Sequence, residues 1–298
     1  MYFDKFALSR RGFLGRSLLG VTAATGAGLA LPSLARADTT LERAKSAGFV
    51  RVGFANEAPF GFADESGKLT GEAPVVLTYI LKKMGIAEVD GVLTEFGSLI
   101  PGLKAGRFDI IAAGMYVKPD RCAQILFSEP TYSISEAFAV KAGNPLKLAT
   151  YAEIAANPEV KLGVMTGAIQ KDYAMKSGVK PDQVSSFPDT PSAIAALRAD
   201  RVDVVAATSL TIGDMIRKSG SDSGIEALKP FSKVGSESVV GHGAFGFRKD
   251  DADFRDAVNA ELKGFIGSPE HLKLVEPFGF SKYTLPVLTT EQICSGNT

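Results

Sequence analysis

The sequence predicts an α/β fold of two lobes, and two observations support this prediction. First, LKAGRFDIIAAG (103–114) and LRADRVDVVAAT (197–208) share one pattern, in which a helix end, a basic residue and an aspartate precede an apolar strand. Strands that are apolar throughout are typical of parallel sheets covered on both faces. Second, segments 136–145 and 243–251 each read as an extended apolar strand that crosses between lobes. Two crossings form a hinge, with a ligand cleft between the lobes. A chance likeness between two generic strand–helix units is the alternative.

Strands and helices alternate around these features. The predicted strands are 49–55, 91–95, 110–113, 137–141, 161–164, 184–187, 204–207 and 244–248. The predicted helices are 73–84, 98–104, 151–157, 170–177, 190–198, 253–265 and 269–276. With both crossings in place, the first lobe takes residues 38–139 and 245–298, and the second lobe, 140–244, is an insertion between them.

The first 37 residues are typical of an export signal. They contain the arginine pair at 10–11, an uncharged stretch at 17–34 and the small-x-small sequence Ala35-Arg36-Ala37. The arginine pair resembles the twin-arginine signal. We therefore predict cleavage near Ala37 and a periplasmic mature protein. A permanent N-terminal membrane anchor is the alternative, although the stretch is rich in Gly, Ala and Thr and no stop-transfer pattern follows it.

The charge of the mature chain narrows the choice of partners. Without residues 1–37 it has 28 lysines and arginines and 32 aspartates and glutamates, a net charge of −4. This balance, with no basic run and no second long apolar segment, argues against nucleic acid as a partner and against stable membrane insertion. We expect a soluble monomer.

The two cysteines predict a single disulfide. Cys122 and Cys294 lie 172 positions apart in a chain that we expect to enter an oxidising compartment. Two unpaired thiols are the alternative. A metal site has still less support than two free thiols, because His242 and His271 do not have the spacing of metal ligands with either cysteine.

Four sequence blocks resemble a known family. They are FANEAPFGFADESGKLTGEAPVV (54–76), FGSLIPGLKAGRFDIIAAGM (96–115), PDRCAQILFSEPTY (119–132) and EPFGFS (276–281). Together they resemble the periplasmic solute-binding proteins of ABC importers, in the branch that carries polar amino acids. Within that branch, ANEAPF, EFGSLIPGL and MYVKPDRC are most similar to the ectoine and hydroxyectoine binders. The resemblance implies a two-lobed, type II α/β fold, an aromatic box for a compatible solute, and permease subunits as partners.

A small zwitterion of this kind needs one side of the cleft that binds its carboxylate and another that binds its cation. Arg121 is the candidate for the carboxylate. Arg121 follows Pro119 in a turn past the carboxyl end of a strand, where ligands of open α/β sheets gather. A guanidinium there can hold a carboxylate through two parallel hydrogen bonds. A surface ion pair with Asp120 or Glu129 is the alternative.

Three rings are candidates for the cationic end of the solute. Phe60, Phe96 and Tyr116 each follow a predicted strand of the first lobe, so they could converge as an aromatic box for a delocalised cation. Ordinary core packing is the alternative for each ring. Glu57 could accept a hydrogen bond from the cation, or could be a solvated loop carboxylate.

The second lobe departs from the family pattern at two places. Thr166-Gly167 is followed by Ala168 and Ile169 where the family usually has hydroxyl residues, so Thr166 and the backbone of Gly167 are the remaining candidates for an anion contact. After the apolar strand 204–207, Thr208 stands where amino-acid binders commonly have an aspartate for the α-ammonium. The loss of that counter-ion disfavours ordinary α-amino acids.

Other functional classes have less support. The chain has no GxSxG, HExxH or Walker-type motif, and His242, flanked by glycines, reads as structural. We predict no catalytic residue, cofactor or metal. A dehydratase on the same fold and a signalling receptor lobe remain alternatives. The main prediction is an ABC-importer subunit that binds ectoine, hydroxyectoine or a related zwitterion, with a polar or cyclic amino acid as the alternative ligand.

Overall fold

The strands form two larger sheets and two short hairpins. A computed structural model describes residues 38–220 and 222–296, so the predicted export signal at 1–37 lies outside the described residues. The α-helices are α1 (Thr40–Ala47), α2 (Glu72–Lys83), α3 (Leu99–Lys104), α4 (Pro119–Cys122), α5 (Tyr151–Ala156), α6 (Gln170–Lys176), α7 (Thr190–Arg198), α8 (Ser209–Ser219), α9 (Ala252–Leu262), α10 (Pro269–Val275) and α11 (Thr290–Cys294). The strands are β1 (Phe49–Phe54), β2 (Phe62–Ala63), β3 (Leu69–Thr70), β4 (Glu88–Leu93), β5 (Ile110–Tyr116), β6 (Leu126–Phe127), β7 (Tyr132–Ile134), β8 (Glu136–Lys141), β9 (Leu162–Met165), β10 (Val184–Phe187), β11 (Val204–Thr208), β12 (Ile225–Ala227), β13 (Lys233–Val234), β14 (Glu237–Ser238) and β15 (Gly241–Phe247).

Each of the two larger sheets forms the centre of one lobe. The first sheet has the order β4-β1-β5-β15-β6, with β7 also paired to β15. Its strands β4, β1 and β5 are parallel, and β15 runs antiparallel to its neighbours. The second sheet has the order β10-β9-β11-β8-β12, in which β10, β9 and β11 are parallel and β8 is antiparallel. This two-lobed α/β architecture confirms the predicted fold class.

The repeated sequence pattern occupies equivalent places in the two sheets. The first copy forms α3 and β5, and the second forms α7 and β11. Both strands are central: β5 has the parallel neighbour β1 and the antiparallel neighbour β15, while β11 has β9 and β8 in the same roles. The repeat therefore reflects one supersecondary unit used twice.

The chain changes sheet twice, at positions close to the two predicted crossings. It passes from β7 in the first sheet to β8 in the second across the single residue Ser135. It returns to the first sheet in β15, after the β13–β14 hairpin. Both changes precede the boundaries at 139/140 and 244/245 by a few residues, and those lobe boundaries remain predictions.

The helix starts explain several element boundaries. The side chain of Asp189 accepts a hydrogen bond from the backbone of Ser192 at the start of α7, and Thr208 caps α8 in the same way through Thr211. Helix α8 is absent from the sequence prediction, although its N-cap residue Thr208 is one of the ligand candidates. The predicted strand 91–95 is instead Glu88–Leu93, paired along its length with β1.

Apolar side chains cover both faces of each sheet. In the first lobe one cluster centres on Leu77 and Phe254 and another on Leu103 and Phe127. In the second lobe the corresponding clusters centre on Leu197 and on residues such as Phe138. Coverage on both faces accounts for strands that are apolar throughout. No helix within 38–220 and 222–296 is long and apolar enough to span a membrane.

The disulfide predicted from the sequence is present. Cys122 at the end of α4 is bonded to Cys294 at the end of α11, with the two Cα atoms 5.8 Å apart. The bond ties the C-terminal helix to the turn that follows β5. It therefore supports the segment that contains Arg121.

We expect Cys294→Ser to lower the free energy of unfolding by about 2–5 kcal/mol, because the bond closes a long loop in the unfolded chain. Denaturant unfolding of the mature protein measures this loss. The double variant Cys122→Ser/Cys294→Ser is the control for a free thiol and should cost about the same. Equal midpoints for the wild type and both variants would contradict the expectation.

Candidate functional site

A small cavity lies between the two lobes, at the carboxyl ends of β5, β9 and β11. Its volume is about 20 Å³, room for about one water molecule. The lining residues are Glu57, Phe96, Gly114, Tyr116 and Arg121 from the first lobe and Met165, Ala168, Ile169, Gln170 and Thr208 from the second. Five of the eight predicted ligand residues are thus brought together: Glu57, Phe96, Tyr116, Arg121 and Thr208.

Arg121 is buried in this cavity and hydrogen-bonded to both lobes. Its Nη1 donates to the carbonyl of Tyr116 at 2.9 Å, and its Nη2 donates to the carbonyl of Gly167 at 3.0 Å. The guanidinium carbon lies 5.6 Å from the centroid of the Phe96 ring. Burial lowers the pKa of Arg121 below its ordinary value, with Asp120 opposing this shift. Arg121 is only 7% exposed, which does not fit the alternative of a surface ion pair.

The turn that holds Arg121 follows directly from the sequence. Strand β5 ends at Tyr116, and Pro119 starts the short helix α4. The backbone N–H groups of Arg121 and Cys122 both donate to the carbonyl of Lys118. The strand, the proline and the disulfide together fix the position of the guanidinium.

Glu57 faces Arg121 across the cavity from the loop after β1. It is 7% exposed, and its Oε1 accepts a hydrogen bond from the Thr211 hydroxyl at 3.3 Å. Thr211 in turn accepts a hydrogen bond from the Thr208 hydroxyl at 3.0 Å. Burial raises the pKa of Glu57 to about 7, while Thr211 and the charge of Arg121 act in the opposite direction. Thr208 therefore acts on the site through a chain of hydroxyl groups.

A second buried carboxylate, Glu136, was not predicted. Its Oε1 accepts a hydrogen bond from the Tyr116 hydroxyl at 3.3 Å, and its Oε2 accepts one from Gln170 Nε2 at 2.7 Å. Burial raises the pKa of Glu136 to about 7, with both hydrogen bonds acting in the opposite direction and the nearby Glu57 adding to the rise. The available signal was a lone carboxylate at the start of an otherwise apolar strand, EAFAV.

Two of the three predicted box rings line the cavity, and the third does not. Phe60 lies in the core of the first lobe, with its ring 5.0 Å from that of Tyr132 and 5.5 Å from that of Phe280. It packs there because Gly114 leaves room for it: a Cβ at position 114 would lie 2.6 Å from the Phe60 ring. The core-packing alternative therefore describes the position of Phe60.

Two glycines of β15, Gly241 and Gly243, leave room for the rings of Tyr116 and Tyr132. A Cβ at Gly241 would lie 1.9 Å from the ring of Tyr116, and one at Gly243 would lie 2.2 Å from the ring of Tyr132. Both rings therefore lie directly against the β15 backbone, and larger residues would displace them. His242, between the two glycines, is buried and accepts a hydrogen bond from the backbone of Val287, outside the cavity lining.

Thr166 and Gly167 lie next to the cavity but do not line it. The Thr166 hydroxyl donates to the carbonyl of Phe187 at 3.0 Å, so it is already used within the second lobe. Gly167 contributes its carbonyl to Arg121, and its backbone has a φ of 79°. A Cβ there would lie 2.6 Å from Gly97 of the first lobe. In this closed arrangement both residues lie at the contact between the lobes, and their role as an anion site remains a prediction.

Several polar contacts hold the lobes together around the cavity. Besides the bonds of Arg121, Glu57 and Tyr116, the Lys118 ammonium forms an ion pair with Asp172 at 2.7 Å. This arrangement is closed, and a solute of several heavy atoms needs the lobes to separate before it can enter. Within the described parts of the chain, no group of three or more His, Cys, Asp or Glu is placed to hold a metal ion.

Comparison with known proteins places the chain among binding proteins. A family model described as bacterial extracellular solute-binding proteins, family 3, matches residues 50–281. The probable amino-acid ABC transporter periplasmic-binding protein y4tE of Sinorhizobium fredii is 35% identical over 263 residues, 86% of each chain. The L-cystine-binding protein TcyJ of Escherichia coli is 28% identical over 83% of this chain and 88% of that one.

A solved structure shares both fold and sequence over most of the chain. The crystal structure of EhuB in complex with hydroxyectoine superposes with a TM-score of 0.80 at 39% identity. The match covers 86% of this chain and 98% of that one. The two-lobed α/β architecture is thus that of type II periplasmic binding proteins.

We expect the free energy of unfolding of the ligand-free protein to fall as the pH rises from about 5 to about 7. Burial raises the pKa of Glu136 from 4.5 to about 7, so in this window the folded chain keeps a proton that the unfolded chain has lost. Stability is then highest below the unfolded pKa and decreases toward the folded one, by up to about 3 kcal/mol for this group. Denaturant unfolding at a series of pH values measures the slope.

Two variants separate Glu136 from other carboxylates. Glu136→Gln should reduce the slope, because the amide does not titrate and can keep hydrogen bonds to Tyr116 and Gln170. The share of Glu57, whose pKa burial also raises to about 7, should remain. Glu159→Gln, at an exposed position, should keep the wild-type slope. Parallel curves for the wild type and Glu136→Gln would show that this carboxylate does not titrate in the window.

Proposed function

Since the chain belongs to family 3 of the bacterial extracellular solute-binding proteins, we propose that its solute is a small cyclic zwitterion with a delocalised cation, such as ectoine or hydroxyectoine. The chain is the substrate-binding subunit of an ABC importer of the amino-acid type. The observation that carries the proposal is the cavity itself, where buried Arg121 lies opposite the buried carboxylate of Glu57 and beside the ring of Phe96. EhuB, 39% identical to this chain, was crystallised with hydroxyectoine.

Arg121 is suited to the carboxylate of such a solute. A guanidinium has five N–H donors, and two nitrogens are engaged with backbone carbonyls. The remaining N–H groups are available to an anion that enters when the lobes separate. Charge-assisted hydrogen bonds of this kind are about twice as strong as neutral ones.

Glu57 and the rings of Phe96 and Tyr116 are suited to the cation. An amidinium can donate to the Glu57 carboxylate while its flat face lies against a ring. The cation would also favour the ionised form of Glu57, whose pKa burial otherwise raises to about 7. Both ends of one zwitterion are thereby matched within a single cavity.

An α-amino acid is the second candidate, and Glu136 is the observation that favours it. Thr208 stands where an aspartate would neutralise an α-ammonium, but the residue paired with it on β8 is Glu136, whose buried carboxylate is bonded to Gln170 of the cavity lining. An ancestral arginine-binding protein bound to glutamine is 27% identical to this chain, with a TM-score of 0.68. In this structure both oxygens of Glu136 are already engaged by Tyr116 and Gln170, which favours the first candidate.

The remaining proposals concern location and assembly. We propose that residues 1–37 are a twin-arginine export signal cleaved near Ala37, and that the mature monomer meets the permease in the periplasm. We also propose lobe boundaries at 139/140 and 244/245 and a role in binding without catalysis. The relatives y4tE and TcyJ are both named as binding proteins.

Calorimetric titration of the mature protein, purified under denaturing conditions and refolded to remove bound solute, tests the ligand. We expect ectoine or hydroxyectoine to bind at least about tenfold more tightly than glutamine, histidine or arginine, because a flat, delocalised cation can donate to Glu57 while it lies against the rings of Phe96 and Tyr116, whereas a tetrahedral α-ammonium has no flat face to place there. A tighter α-amino acid would overturn the assignment and favour the second candidate.

The variant Arg121→Lys examines the carboxylate contact. It keeps a positive charge but loses the planar fork, so affinity should fall by about 1.5–3 kcal/mol, the usual worth of a charged hydrogen bond. Arg107→Lys, at an exposed position, is the matched control and should bind as the wild type does. An unchanged dissociation constant for Arg121→Lys would remove this residue from the site.

The variants Phe96→Leu and Phe60→Leu separate a cavity ring from a core ring. Phe96→Leu should weaken binding of the delocalised cation by about 0.5–2 kcal/mol. Phe60→Leu should instead lower the free energy of unfolding by about 1–3 kcal/mol and leave the dissociation constant within about twofold. Titration and denaturant unfolding of both variants measure the contrast. Equal losses of affinity would return Phe60 to the ligand wall.

A further inference from the structure

A second cavity, of about 450 Å³, lies within the second lobe and shares no lining residue with the interlobe cavity. It lies open to solvent between α5, α6 and the β13–β14 hairpin. Side chains that line it include Tyr151, Tyr173, Lys176, Phe231, Lys233 and Val234. Its volume lies within the range of small-molecule sites, about 300–1,000 Å³.

Aromatic rings in fixed orientations form part of its wall. The Phe231 ring packs edge-on against the ring of Tyr151 at 6.0 Å and against that of Phe138 at 5.0 Å. Val234 lies on the same wall, and Ala149 and Ala152 add small apolar groups. This wall fits a flat or branched apolar body.

The charges at this cavity favour an anion. Lys176 forms an ion pair with Glu237 at 3.0 Å, so these two charges offset each other. Lys233 also lines the cavity, and within the described residues it forms no ion pair. One positive charge is therefore left for a ligand.

From these observations we infer that the second lobe contains an accessory binding site for a small carboxylate with an aromatic or branched apolar body. Its apolar part contacts Phe231 and Val234, and its carboxylate is held by Lys233. The inference does not depend on which solute occupies the interlobe cavity.

Benzoate is the probe, and calorimetric titration of the mature protein is the measurement. We expect saturable binding at one site, with benzamide, a neutral molecule of the same shape, binding several-fold more weakly. Lys233→Gln should weaken benzoate about two- to fivefold, as for an exposed ion pair. No saturable binding, or equal affinity for benzoate and benzamide, would overturn the proposal.

A pair of variants on one helix locates the bound probe. Ala152 and Ala156 are both exposed residues of α5, but only Ala152 lines the cavity. Ala152→Trp should abolish benzoate binding by filling the space, whereas Ala156→Trp should leave it unchanged. If benzoate still binds Ala152→Trp and is instead weakened by Arg121→Lys, it occupies the interlobe cavity and the accessory site is refuted.

Discussion

The buried guanidinium of Arg121 is the constraint on which the contact between the lobes depends. A buried charge is costly unless hydrogen bonds replace its water. Arg121 finds these bonds at the carbonyl of Tyr116 in the first lobe and at that of Gly167 in the second. The second bond exists only while the lobes touch. When the lobes close, the carbonyl of Gly167 therefore takes the place of water at the guanidinium of Arg121. The turn fixed by Pro119 and the Cys122–Cys294 bond positions this guanidinium.

Burial lowers the pKa of Arg121 but raises the pKa of the two carboxylates, Glu57 and Glu136, because it disfavours the charged form of each group. It raises the pKa of Glu57 and of Glu136 to about 7, so near neutrality each is divided between its charged and uncharged forms. A zwitterionic solute brings an anion for Arg121 and a cation for a carboxylate at once. A solute with one charge would bring an opposite charge to only one of these groups. The proposed zwitterion would bring its cation to Glu57, and so would favour the ionised form of Glu57 and release a proton from it.

Sequence patterns could identify those parts of the fold and site that depend on local order. The repeat at 103–114 and 197–208 predicts the two equivalent sheets. The position of Arg121 after a strand and a proline predicts a residue of the cleft, and the two cysteines of an exported chain predict the disulfide. The position of Phe60 after a strand predicts a place in the aromatic box, but Gly114, more than fifty positions away, opens a place for it in the core. The sequence pattern does not predict Glu136 for a similar reason, since its partners Tyr116 and Gln170 come from two other segments. Contacts of this kind depend on tertiary packing, which neither periodicity nor motif spacing records.

The backbone near the hinge also joins the two cavities. Glu136 is the first residue of β8, where the chain enters the second sheet. Phe231 comes just before the β13–β14 hairpin, after which the chain returns to the first sheet. Two backbone hydrogen bonds, at 3.0 and 2.9 Å, hold these residues together. The Phe231 ring lines the second cavity, while the Glu136 carboxylate is bonded to Tyr116 and Gln170 at the first. This bridge connects the wall of the second cavity to the hydrogen bonds of Tyr116 and Gln170 at the first.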